Sequence, residues 1–307
     1  MKISSDTLSL LQAEIEQQAL PAAYLRSVEQ WLLPIADDLR QRQRTKGGML
    51  LVSFNGSQGS GKSTLTRFLA LLLKHHFSLN TIDISIDDFY LTRAQRQQLA
   101  AQVHPLFVTR GVPGTHDVEL ARQTLDALRI CNRDHPCRLP CFDKAIDDRA
   151  PQADWTAIDE PVDIVLFEGW CNHAPVQEEQ QLETPVNELE RDEDGQLAWR
   201  HHANEALRLY HEQLFSQADL LIHLQIPGFD SVYEWRGLQE QKLAAKAGSK
   251  GKAVMDEVAL RRFIQHYERI TRACLATLPR LAQIVVVLDR DHRITAVRFN
   301  EKTNSSV

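Results

Sequence analysis

Gly56-Ser57-Gln58-Gly59-Ser60-Gly61-Lys62-Ser63 satisfies the pattern G-x-x-x-x-G-K-S/T, and Thr64 follows it. Glycines let backbone N–H groups wrap an anion where a Cβ would obstruct the turn. A helix beginning at Lys62 adds partial positive charge at its N-terminus. Lys62 brings a full charge to the β- and γ-phosphates of a nucleotide, and the Ser63 hydroxyl is a ligand for Mg²⁺. The pattern predicts nucleotide binding and leaves the reaction open.

Two further acidic positions narrow it. Asp87 and Asp88 follow the strand-like run Thr81 to Ile86. Either carboxylate can take a proton from a hydroxyl, and either can equally cap a turn. Glu168 follows a second run, Asp163 to Phe167, and is itself followed by Gly169. A single carboxylate after a buried strand can hold Mg²⁺ or its water shell. Arg236 to Arg262 also carries Lys242, Lys246, Lys250, Lys252 and Arg261, with Gly248 and Gly251 between. That composition suits an exposed helix–loop–helix or a mobile basic lid over phosphates.

The elements that must position these residues are legible as periodicity. Met49 to Phe54 is continuously apolar, as expected of a strand buried on both faces. Strand-like runs recur at Thr81 to Ile86, Asp163 to Phe167, Leu220 to Ile226 and Ile284 to Leu288. Helical patterns lie between them at Lys62 to His76, Val118 to Ile130, Glu205 to Ser216 and Asp256 to Leu278. This alternation predicts an α/β fold with a mainly parallel sheet. Ile294 to Phe299, after a turn-rich joint, reads as an antiparallel edge strand. Residues 4 to 45 read as helix, with Pro34 kinking or dividing the second part. The expected division is an N-terminal helical extension over 1–48, packed on a core domain over 49–307. Acidic residues 178–194 read as a solvated surface loop.

Composition sets the outer limits. The 307 residues are 43% hydrophobic and 25% charged, ordinary for a globular chain that can bury a large core. Lys and Arg total 35 against 41 Asp and Glu, giving a net charge of -6, so nucleic acid is a disfavoured partner. No apolar run approaches the ~20 residues needed to span a bilayer, and the N-terminus lacks a signal core. The cytoplasm is the expected location. Five cysteines are too few and too odd for a disulfide framework. Cys131, Cys137 and Cys141 cluster around His135, but their spacing fits no common zinc finger and predicts buried or free thiols. A guanine-reading N/T-K-x-D motif and a transporter-ATPase signature are both missing, which argues against those classes.

The motifs together resemble the D-glycerate 3-kinases of the plant and cyanobacterial type. These are P-loop kinases related to uridine kinase, phosphoribulokinase and bacterial pantothenate kinase. The resemblance rests on Phe54 to Thr64, Ser85 to Thr92, His104-Pro105-Leu106, Thr109 to Asp117 (T-R-G-V-P-G-T-H-D), Phe142 to Pro151 (F-D-K-A-I-D-D-R-A-P), Val165 to Cys171 and Pro185 to Glu190. It implies a kinase-type, three-layer P-loop NTPase fold with sheet order 2-3-1-4-5 and a helical lid at about 230–262. It implies that Gly56 to Thr64 bind ATP and that Ser63, Asp87 and Glu168 surround Mg²⁺. Asp87 is then the catalytic base, with Lys62 and Arg236 steadying the transferring phosphate. Asp88, Tyr90, Arg110, Thr115, His116, Asp117, Asp143, Lys144 and Arg149 are then expected around the acceptor. Arg110 can fork onto a carboxylate such as that of glycerate. The expected reaction is phosphorylation of D-glycerate to 3-phosphoglycerate. The alternatives are another small acceptor, a pantothenate-like acid or a nucleoside, and an ATP-dependent switch protein.

Overall fold

In a computed structural model, residues 2–247 and 255–300 are described, with side chains left undescribed at 239–247. Lys242, Lys246, Gly248, Lys250, Gly251 and Lys252 of the expected lid therefore lie outside the described side chains or residues.

The central sheet has six strands: β1 Leu50–Asn55, β2 Thr81–Ser85, β3 Ile164–Gly169, β4 Leu220–Gln225, β5 Ile284–Leu288 and β6 Ile294–Phe299. Their spatial order is β6-β5-β4-β1-β3-β2. β1, β3, β2, β4 and β5 pair in parallel, and β6 adds antiparallel to β5 with an irregularity between Ile294 and Ala296. The order 2-3-1-4-5 is thus the one found, extended by the expected edge strand.

Both faces of β1 are buried, which is why its sequence is continuously apolar. Alternate side chains enter two cores. Leu51, Val165, Phe167, Leu221 and Val285 pack to one side; Val52, Phe54, Leu166, Ile222 and Val286 pack to the other. The second side is covered by α1 Ser5–Gln17, α2 Leu33–Lys46 and α3 Lys62–Leu71, through Leu11, Ile35, Leu39, Leu65 and Phe68. The first is covered by α5 Val118–Arg129, α6 Ala198–Gln213 and α8 Glu257–Leu281, through Leu125, Leu207, Tyr210 and Leu278. Between β2 and α5 lies α4 Arg93–Gln102, and α7 Asp230–Ala247 follows β4.

Three local readings need correction. Residues 4–45 are not one helical stretch, because the chain turns at 18–23 and a π turn over Val28–Leu32 precedes α2. Pro34 follows on that π turn, inside a helical run that is unbroken from Tyr24 to Lys46, and so marks a change of helix type rather than a free helix start. The helix expected from Glu205 begins at Ala198, since Trp199 and Ala203 already belong to its buried face. Residues 178–194 form two short helices rather than a solvated loop. Glu190 and Asp194 are buried there, matched by Arg200 at 3.3 and 3.0 Å and, for Glu190, by Arg269 at 2.6 Å. Burial of these carboxylates requires those partners. The five cysteines are free thiols, with Cys137 donating to Cys131 at 3.5 Å and Cys141 exposed. Among the described residues, no helix is long and apolar enough to cross a membrane.

Candidate active site

The turn between β1 and α3 owes its shape to two left-handed glycines, Gly59 at φ 77° and Gly61 at φ 85°. Gly61 is the N-cap of α3, so the first helical amides open onto the loop. Within the loop the Ser60 hydroxyl donates to the Ser57 carbonyl at 2.8 Å, and Lys62 Nζ reaches the same carbonyl at 3.3 Å. Thr64 turns away and donates to Gln18 Oε1 at 2.8 Å, tying the loop's exit to the N-terminal helices.

Parallel pairing of β1 with β3 brings Glu168 beside this loop. Ser63 Oγ donates to Glu168 Oε1 at 2.9 Å, and Lys62 Nζ lies 3.9 Å from Glu168 Oε2. A hydroxyl and a carboxylate converging beside phosphate-facing amides form the hard-oxygen donor set that suits Mg²⁺.

Beyond β2 the chain makes a short 3-10 turn, Ile86–Phe89, and its two acids part. Asp87 faces a cavity of about 650 Å³ that also takes in Gln58, Gly59, Lys62, Ser63 and Glu168. Tyr90 donates to Asp87 Oδ1 at 2.7 Å and Lys144 donates to Oδ2 at 2.8 Å. Burial pushes the Asp87 carboxyl up, but the Lys144 charge and the bonds from Lys144 and Tyr90 outweigh it and hold the pKa below the usual value. Asp88 instead folds back into a capping box, accepting from the Ser85 backbone at 3.3 Å. Burial raises its pKa to about 6, against the bonds it accepts from the backbone of Ser85 and Phe142.

Lys144 arrives on a hairpin formed by Phe142–Asp143 and Asp148–Arg149. The far wall of the cavity holds Arg110, Arg96 and Asp147; Tyr90, Trp170, Arg236, Phe263 and Tyr267 line it too. Arg236 lies over the Phe263 ring at 5.5 Å. The preceding Trp235 is buried, donates to the Arg290 carbonyl at 2.8 Å and stacks on His292 at 3.9 Å. His292 in turn donates through Nε2 to the Gly59 carbonyl at 2.8 Å, so the start of α7 is fastened to the phosphate loop.

Several residues expected around an acceptor stand one layer behind the cavity. The Thr115 hydroxyl is buried between the Val112 carbonyl and the Gly111 amide. His116 is buried under Tyr90, stacked at 4.8 Å, and burial lowers its pKa to about 4. The Tyr210 hydroxyl accepts from the Gly114 amide and shares a second hydrogen bond with His116 Nδ1, at 2.8 Å in each case. Asp117 caps α5 and receives Arg149 at 2.9 Å, while a second bond from Arg149 reaches the Tyr90 carbonyl at 3.0 Å. Asp143 is exposed and accepts from the Ala145 amide. Thr115 and Asp117 are taken up by backbone groups and neighbours, whereas His116 Nε2 and Arg149 Nε are buried without a hydrogen-bond partner among the described residues; none of these five side chains lines the cavity. The sequence reading missed Arg96, Asp147, Tyr267 and His292. Asp147 lies inside the F-D-K-A-I-D-D-R-A-P segment, which was the one signal available for it.

No family profile matches the chain. It is 30% identical over 237 residues to the uncharacterized kinase mug58 of Schizosaccharomyces pombe, covering 75% of this chain and 82% of that protein. It is 28% identical over 263 residues to the chloroplastic D-glycerate 3-kinase of Arabidopsis thaliana, covering 83% of this chain and 53% of that protein. The solved structure of a D-glycerate 3-kinase from Cryptococcus neoformans superposes with a TM-score of 0.72 at 26% identity, covering 87% of this chain and 97% of that one. The chain belongs to the glycerate 3-kinase-like family of P-loop kinases, ATP-dependent phosphotransferases of the α/β class.

Proposed function

We propose that the chain phosphorylates D-glycerate, transferring the γ-phosphoryl group of ATP to a glycerate hydroxyl to give 3-phosphoglycerate and ADP. The observation that carries this reading is one shared cavity. The phosphate-loop residues Lys62 and Ser63 line it together with Asp87, Lys144 and Arg110. A carboxylate able to take a proton, a guanidinium able to take an acid, and a phosphate-binding loop thus face one space. The names of the Arabidopsis and Cryptococcus relatives agree with it.

In this reading Gly56 to Thr64 cradle the ATP phosphates, and Arg110 receives the acceptor's carboxylate. Asp87 accepts the proton of the hydroxyl as its oxygen attacks phosphorus in line. Lys62 and Arg236 steady the charge spread over the transferring group. Ser63 and Glu168, with Asp87 opposite, would hold Mg²⁺, which supplies further neutralisation of the phosphates. Residues 1–48 serve as an extension bracing the phosphate loop, and about 230–262 as a lid that excludes water.

The reading is tested by ADP release from Mg·ATP with D-glycerate, L-glycerate, pantothenate, uridine or no acceptor. D-Glycerate should stimulate release far more than the others. Equal background release with every acid, or stimulation by uridine or pantothenate alone, would overturn the substrate assignment.

A further inference from the structure

Arg96 is buried, 2% exposed, yet its guanidinium reaches the wall of the cavity. It is fixed by three backbone carbonyls from three segments: Leu91 at 3.3 Å, Val108 at 3.0 Å and Asp147 at 2.8 Å. It also meets the Asp147 carboxylate, Oδ2, at 2.9 Å. The other oxygen of Asp147 takes a charge-assisted bond from Arg110 Nη1. Both guanidiniums lie against the Phe142 ring, at 5.9 and 5.6 Å. Burial raises the Asp147 carboxyl, but the bonds and charges of Arg96 and Arg110 hold it ionised below the usual range.

The charges at this end of the cavity can be counted. Lys144 and Asp87 cancel as a pair. Lys62 and Arg236, the latter with its backbone beside Gly59, belong to the phosphate end of the cavity, where the nucleotide's charges meet them. At the acceptor end Arg96 and Arg110 contribute two positive charges, and Asp147 removes one. A single net positive charge is left, on the side of Arg110 turned toward the cavity. A monoanion neutralises it, and a dianion leaves an excess charge in a partly desolvated space, where like-charge terms weigh more than in water.

We propose that Asp147 is a specificity-determining residue: held by Arg96, it positions Arg110 and cancels one positive charge, so that the acceptor site selects monoanionic over dianionic hydroxy acids. This inference rests on the glycerate-kinase reading, and goes beyond it in assigning the charge selection to a residue that does not touch the reacting atoms.

D-Glycerate and tartronate test it, because they differ by exchange of a CH₂OH group for a carboxylate. Their dissociation constants are measured by calorimetry on the full chain saturated with Mg·ADP, so that the phosphate-facing cations are occupied, for wild type and Asp147→Asn. Asparagine tolerates the left-handed backbone at this position, φ 57°. Wild type should bind D-glycerate about tenfold or more tightly than tartronate, and Asp147→Asn should narrow that ratio by about tenfold. The ratio is insensitive to a loss of folded protein, and the wild-type preference needs no variant at all. A wild type that binds tartronate as tightly as glycerate, or a ratio unchanged in Asp147→Asn, would overturn the inference. Turnover of D-glycerate with an unchanged ratio overturns the inference alone. Absence of both binding and turnover of D-glycerate overturns the parent reading with it.

Discussion

Lys144 Nζ, carried on a hairpin 57 residues further along the chain, donates to Asp87 Oδ2 at 2.8 Å. The pair joins the end of β2 to a separate segment, and it closes one side of the cavity. Asp87 is thereby held as an anion in a partly buried place, ready to accept a proton. Asp88, its neighbour in sequence, spends its oxygens on the backbone of Ser85, the cap of the 3-10 turn, and of Phe142 on the hairpin.

The two acids should therefore separate in function. Asp87→Asn is expected to lower kcat by about 10²–10⁴, the usual worth of a general base, with ATP affinity little changed. Asp88→Asn should retain most of the activity. Steady-state kinetics with nucleotide binding measured in parallel checks this, and a fully active Asp87→Asn enzyme would remove Asp87 from the base role.

The acid limb of the pH–rate profile should respond to the residues that hold Asp87 ionised. Its pKa lies below the ordinary carboxylate value, so activity is present above that folded value and is lost as pH falls through it. Lys144→Gln removes the largest downward influence, and Tyr90→Phe removes a hydrogen bond to the anion. Both changes should move the acid limb to higher pH, Lys144→Gln further. A limb that stays in place in both variants would show that another group controls it.

Asp88 makes a stability prediction with the opposite sign. Its folded pKa, about 6, lies above the unfolded value near 4. Its protonated form is favoured by the fold, and that contribution is complete below about pH 4 and lost as pH rises through about 6. Above that, the charged form costs up to about 3 kcal/mol. Asp88→Asn should thus raise Tm relative to wild type by an amount that grows between pH 4 and 7 and then levels. A gain that is instead largest at pH 4 would contradict the assignment.

The fold was readable because its strongest signals are periodic. The five strands of the parallel sheet, four of them largely buried and β2 at the edge, and the glycine-rich turn before α3 follow from strand-like runs and one motif. The wall of the cavity is less readable because its residues act through long-range pairing. Nothing local distinguishes Asp147, which meets Arg96 and Arg110, from the exposed Asp143 four residues earlier. His116 and Thr115 share a segment with Arg110, yet their side chains are taken up by Tyr210 and by the turn itself. Glu190 and Asp194 look like surface acids until α6 and α8 supply buried arginines. Sequence gives the residue types in each case, and the fold decides which partner each one meets.

Gly169 shows how tightly the end of β3 is packed. A Cβ there would lie 2.2 Å from Asn172 Oδ1 and 2.7 Å from Ile86 Cγ2. The Asn172 side chain is buried and donates to the Phe167 carbonyl at 3.0 Å, so it has little freedom to withdraw. Gly169→Ala should destabilise the protein by about 1–3 kcal/mol, the usual cost of overpacking, and should displace Glu168 from Ser63. Denaturant unfolding together with the apparent Mg²⁺ requirement of turnover tests both halves; an unchanged midpoint would mean that the neighbouring Asn172 moves freely.

The most direct test of the account is to follow ³¹P NMR spectra of wild-type protein with Mg·ATP and D-glycerate. The account requires the γ-phosphate signal of ATP to decline as ADP and one phosphomonoester appear in equal amounts, the new phosphorus coupled to the C3 protons of glycerate. Inorganic phosphate and ADP without a phosphomonoester, or a phosphorus coupled to the C2 proton, would contradict it.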